Sequence, residues 1–65
     1  MIADGGDTVS PKELQYIEDA LGHEKYLITQ CRYASERLED EKLRQEAQKM
    51  AEKHQRIFDN LYSLV

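Results

Sequence analysis

The chain has 65 residues, so it forms one small domain at most. Its 34% of charged residues, three glycines, one proline and absent tryptophan are typical of long helices with one face in water. The net charge of −4 argues against a nucleic-acid partner, because proteins that bind phosphate backbones carry basic surfaces. No apolar run reaches about 18 residues and no signal-peptide pattern opens the chain, so we expect no membrane partner and an intracellular, cytoplasmic location.

Residues 1–9 are predicted to form a flexible tail, since they include Asp4-Gly5-Gly6-Asp7 and little that could bury apolar surface. Order is predicted to begin at Ser10, which suits an N-cap and starts a helical hairpin over residues 10–65. Pro11 fits the first helical position, where its missing N–H is no loss, and Glu13 completes a capping box with Ser10. The pattern predicts a first helix over about residues 11–38.

A second helix is predicted over about residues 41–64. Asp40 is a good N-cap, and Glu41 places negative charge in the first turn of this helix. The linker between the two helices is so short that they must run antiparallel. No alternating strand pattern is present, so the fold class is all-α, an antiparallel two-helix hairpin.

Each helix carries an apolar stripe at helical spacing. The first stripe contains Leu14, Ile17, Leu21, Glu24, Ile28, Cys31, Ser35 and Leu38. The second contains Leu43, Ala47, Met50, His54, Ile57, Leu61 and Leu64. In a hairpin, partners have residue numbers that add up to about 78, which pairs Ile28 with Met50 and Glu24 with His54. A carboxylate and an imidazole are therefore predicted to meet in the middle of the stripe.

A second apolar column widens both stripes. On the first helix it consists of Ala20, Leu27 and Ala34, flanked by Tyr16, Tyr26 and Tyr33; on the second it consists of Ala51, Phe58 and Val65. A single hairpin buries too little of so wide a stripe to offset the entropy of ordering the chain. The simplest remedy is a second copy, so we expect a homodimeric four-helix bundle with tyrosines at its rim.

Two interpretations of Glu24 and His54 remain open. The first is a polar lock, an ion pair or hydrogen bond that fixes the register of the helices. The second is a metal site, in which a dimer gathers two Glu24 and two His54 side chains around one divalent ion. Ala51 stands three residues before His54, where a di-iron bundle has a glutamate, and Glu52 is expected to face solvent.

Catalysis is not expected. Cys31 cannot form an intramolecular disulfide because it is the single cysteine, and its place on the stripe predicts a small buried hydrophobe. No Ser/His/Asp set, phosphate-binding loop or Cys-x-x-Cys pair occurs, and a bundle of this size has little room for a substrate pocket. Apart from one divalent metal in a dimer, no cofactor is expected.

Several short motifs resemble the spore coat protein F-like group, small ferritin-like helical proteins of endospore-forming bacteria. They are Ala20-Leu21-Gly22-His23-Glu24-Lys25, Leu27-Ile28-Thr29, Leu43-Arg44 and Lys53-His54-Gln55, with Phe58 and Leu61, over about residues 14–64. The resemblance implies a ferritin-like bundle without a working iron centre, located in the spore coat or involved in sporulation, with other spore coat proteins as partners. The chain departs from the group in its length of one hairpin and in Cys31, where a tyrosine is expected.

The sequence therefore predicts a non-enzymatic structural or interaction protein that forms a homodimer. One alternative is a metal-binding ferritin-like protein that uses Glu24 and His54 from two chains. Another is an adaptor whose apolar stripe docks on the helices of a different partner.

Overall fold

The computed structural model describes residues 9–65, and the part of the predicted tail at residues 1–8 lies outside this range. The described chain consists of helix α1, Pro11–Arg37, and helix α2, Glu41–Tyr62, and contains no strand. The predicted all-α hairpin is confirmed. The helices end one and two residues before their predicted C-terminal limits.

Helix α1 begins with the predicted capping box. The backbone N–H of Glu13 donates to the Ser10 hydroxyl oxygen, and the N–H of Ser10 donates to the Glu13 carboxylate, both at 3.1 Å. Pro11 occupies the first position of the helix. Two of the N–H groups that a helix start leaves without partners are thus satisfied by side chains.

The linker reverses the chain within three residues, Leu38 to Asp40. Leu38 adopts an extended backbone and ends α1, while its N–H still donates to the carbonyl of Ala34 at 2.9 Å. Asp40 caps α2, since its carboxylate accepts the N–H of Leu43 at 2.9 Å. A turn this short brings α2 back along α1, so residues far apart in the sequence meet across the hairpin.

The helices contact each other through small residues of α2. Ile28, Ala47 and Ala51 are the buried residues of the described chain. The structure differs from the predicted stripe at Met50, which is 51% exposed although it was expected to pack on Ile28. The alanines allow close approach of the helix backbones, and α2 is turned so that Ala51 faces α1 while larger side chains lie beside the contact.

The hairpin is a single layer of helices. It measures 50 × 14 × 10 Å between Cα atoms, and none of its described side chains is fully buried. A stable domain usually packs two layers around a shared core. The fold therefore leaves apolar surface on its flanks that would normally be covered by another layer.

Candidate functional site: the Glu24–His54 pair and the apolar edge

Glu24 and His54 contact each other across the hairpin, as predicted from the residue numbers that pair in an antiparallel hairpin. The Nδ1 atom of His54 lies 2.6 Å from Oε1 of Glu24. Glu24 is the middle residue of α1, so the pair lies near the midpoint of the molecule along its length. The antiparallel course of α2 brings His54 to the same level.

The pair is mostly covered, with 14% of the Glu24 side chain and 19% of the His54 side chain exposed. A carboxylate only accepts hydrogen bonds, so Nδ1–H of His54 donates to Glu24 and leaves Nε2 as the second nitrogen of the ring. Within residues 9–65, neither Nε2 of His54 nor Oε2 of Glu24 has a hydrogen-bond partner. Each pair thus retains two polar atoms that are able to bind another group.

One flank of the hairpin, here called the polar edge, is lined by hydrophilic side chains. Two shallow grooves run along it between the helices. Their polar lining residues are Lys25, Thr29, Arg32, Ser35 and Glu36 from α1 and Gln48, Glu52 and Gln55 from α2. On this flank, charged and amide side chains border the helix contact, while Ile28, Ala51 and Phe58 complete the lining of the grooves.

The opposite flank is apolar. Neighbouring residues in a helix are about 100° apart around its axis. Thr29 lies on the polar-edge side of Ile28, so Leu27 lies on the opposite side. In the same way, Glu52 lies on the polar-edge side of Ala51, so Met50 lies on the opposite side. Residues seven apart continue both rows. We call this surface the apolar edge; it consists of Ala20, Leu27 and Ala34 on α1, Leu43, Met50 and Ile57 on α2, and Leu64 just beyond the end of α2.

The apolar edge is open to solvent in the hairpin. Leu43, Met50 and Leu64 are exposed by 52%, 51% and 56%. By the same helical geometry, Glu24 lies on the Leu27 side of Ile28, and His54 lies on the Met50 side of Ala51. The polar pair is therefore tilted toward the apolar edge, at the middle of its length.

The residues around the pair do not fit a di-iron centre. Ala51 is only 4% exposed and occupies the place where the bundle pattern has a carboxylate, while Glu52 lines the polar edge. No group of three or more His, Cys, Asp or Glu side chains able to hold a metal occurs in the described chain. One hairpin supplies at most two ligands, so a metal site requires a second copy.

The other singled-out residues lie apart from the pair. Cys31 is half-buried rather than fully buried, and it is two turns, about 10 Å, from Glu24 along α1. Tyr16, Tyr26 and Tyr33 are exposed, and the guanidinium carbon of Arg37 lies 3.7 Å from the ring centre of Tyr33. The placement of the tyrosines at an interface stays a prediction.

Comparison of the chain with protein-family models, with curated proteins and with solved structures gave no match. The resemblance to the spore coat protein F-like group therefore stays a prediction. Neither helix of the described part is long and apolar enough to cross a membrane.

Proposed function

We propose that this chain is a non-enzymatic structural or interaction protein that acts as a homodimer, in which two hairpins join through their apolar edges as a four-helix bundle. The observation that carries the proposal is the apolar edge itself. Leu43, Met50 and Leu64 are more than half exposed, and the described chain holds no fully buried side chain. Covering this edge would supply the second layer that the hairpin lacks.

A second copy fits this edge for electrostatic reasons. Each chain carries a net charge of −4, so two copies repel each other wherever their charged surfaces meet. None of the residues that define the apolar edge is charged, whereas the polar edge presents Lys25, Arg32, Glu36 and Glu52. Joining through the apolar edge keeps these charges in water and removes apolar surface from it.

The place of such a bundle in the cell is proposed on the sequence resemblance alone. The motifs around Glu24 and His54 resemble spore coat protein F-like proteins, which supports the cytoplasm of a sporulating cell or its spore coat, with other coat proteins as further partners.

A second candidate is the binding of one divalent cation by Glu24 and His54 of two chains. The carboxylate–imidazole contact of 2.6 Å favours it, because ligating histidines usually donate their other N–H to a carboxylate. Protein purified without chelator should then contain Zn, Fe or Mn and melt at a higher temperature when the ion is added. Absence of both effects would remove this candidate.

The homodimer is tested by light scattering after size exclusion. We expect a mass of about 15 kDa, twice the 7.6 kDa of the chain. A monomer of 7.6 kDa that melts cooperatively would contradict the proposal, because it would show that one hairpin is stable without a second layer.

A further inference from the structure

We propose that the two copies are related by a two-fold axis parallel to the helices, so that each Glu24–His54 pair binds the same pair of the other copy. In this arrangement Nε2–H of His54 donates to the carboxylate of Glu24 of the partner subunit. The inference rests on the proposed homodimer and adds the orientation and register of its two copies.

Only two orientations bring the apolar edges face to face with full overlap. If the axis runs parallel to the helices, α1 of one copy lies opposite α2 of the other and both linkers are at the same end. If the axis runs across the helices, α1 lies opposite α1 and the linkers are at opposite ends. Because the pair lies near the midpoint of the hairpin, the two pairs come close together in either orientation.

The two orientations differ in which side chains of the Glu24–His54 pairs face each other. With the parallel axis, Glu24 lies opposite His54 of the partner subunit, and the free Nε2 and Oε2 atoms become complementary. All four side chains then form a closed network, in which each carboxylate accepts one N–H from each ring when both rings are protonated. With the axis across the helices, carboxylate faces carboxylate and ring faces ring, which places like charges together.

The apolar residues favour the same orientation by their size. At the levels set by the hairpin, the parallel axis brings Ala34 opposite Leu43 of the partner subunit and Ala20 opposite Ile57 of the partner subunit. Two small residues of α1 therefore face larger residues of α2, while Leu27 faces Met50 of the partner subunit at the middle of the edge. The crossed axis instead sets the smaller row of α1 against itself and the larger row of α2 against itself, which packs less evenly.

The polar layer also fixes the register. Sliding one copy along the other would set Glu24 and His54 against apolar side chains and leave Nε2 and Oε2 buried without partners. Unpaired buried polar atoms are costly, so only the register in which the pairs meet satisfies them. This use of a polar layer is known from helical bundles, where it specifies orientation more than it adds stability.

The orientation is tested by the distance between nitroxide labels at Glu39→Cys in a Cys31→Ser background, measured by pulsed electron resonance in EDTA. Glu39 is exposed in the linker. We expect one distance below about 30 Å, since the linkers share one end of a bundle of four helices, each about 10 Å across. A distance near 50 Å, the length of the hairpin, would overturn the inference while the homodimer stands.

The network is tested by measuring the dissociation constant of the dimer of His54→Leu by sedimentation. This substitution leaves the Glu24 carboxylate buried without a partner, so it should weaken the dimer about 10- to 100-fold. The double variant Glu24→Leu/His54→Leu should associate at least as well as the native chain, which also shows that the position tolerates leucine. The matched control, His23→Leu, changes an exposed histidine and should have no effect. If the single and double variants weakened the dimer equally, the loss would not come from an unpaired Glu24 carboxylate, and the network would be contradicted.

Two further outcomes separate this inference from its alternatives. A dimer that dissociates in EDTA and re-forms with ZnCl2 would replace the network by a bound metal ion. A monomer under all conditions would overturn the proposed homodimer and the network together.

Discussion

The two edges of the hairpin are built from the same two helices, but they carry different side chains. On the polar edge, Arg32, Glu36 and Glu52 line shallow open grooves. On the apolar edge, Leu43 and Met50 are exposed by 52% and 51%. The proposed dimer would use this difference between the flanks, because the interior of a thin helical hairpin is too small to specify how two copies join.

The largest expected effect comes from placing a charge on the apolar edge. Met50→Glu should weaken the dimer by at least about 100-fold, or about 3 kcal/mol, because association would bury two carboxylates. Sedimentation equilibrium measures the change. Gln48→Glu is the matched control, since it adds the same charge two residues away on the polar edge. Similar weakening by both variants would show that the edges do not differ in function.

A pair of substitutions at small residues sharpens the comparison. Gly22→Ala should stabilise the protein by about 0.5–1 kcal/mol, because alanine favours the helix and a Cβ at Gly22 meets nothing within 4 Å. Ala34→Gly should cost more than this propensity difference, since Ala34 lies on the apolar edge and loses packing as well.

Thermal or urea unfolding of both variants measures these effects. Equal and opposite changes at Gly22 and Ala34 would indicate that nothing covers the apolar edge.

The first turn of α2 should respond to acid through Glu41. Glu41, in the same column of α2 as Gln48 and Glu52, forms a hydrogen bond and an ion pair with Arg44, which lower the pKa of Glu41 below 4.5. A lowered pKa in the folded state stabilises above the unfolded pKa, and this contribution is lost as pH falls through the lowered value.

We therefore expect the first turn of α2 to loosen only at acid pH below 4.5, the ordinary value for glutamate. Carbon chemical shifts of Glu41 measure its titration. In Arg44→Gln the midpoint should return toward 4.5, and an unchanged midpoint would contradict the assignment of the shift to Arg44.

Most of the hairpin follows from local sequence signals. The Ser10–Glu13 capping box, Pro11 and the Asp40 cap set the helix starts, and each is satisfied by contacts within a few residues. The Glu24–His54 contact was predicted by the same counting of residues that paired Ile28 with Met50. Counting gives only the level of a residue along the hairpin, and the contact forms because both side chains also lie near the face where the helices meet.

The rotation of α2 could not be predicted in the same way. Ala51 and Met50 both lie within the wide apolar stripe, and the periodicity alone does not decide which of them faces α1. The structure decides it: Ala47 and Ala51 are buried against α1, and Met50 lies at the edge. The proposed orientation of a second copy depends on this rotation, so the sequence alone could not support it.

The most direct test of the account is an isotope-filtered nuclear Overhauser experiment on a mixture of labelled and unlabelled chains. We expect contacts between the Met50 methyl group of one copy and apolar-edge side chains of the other, with Leu27 the nearest at the level of Met50. Contacts between chains that involve Gln48 or Glu52 instead, or no contacts between chains at all, would contradict the claim that the apolar edge is the interface.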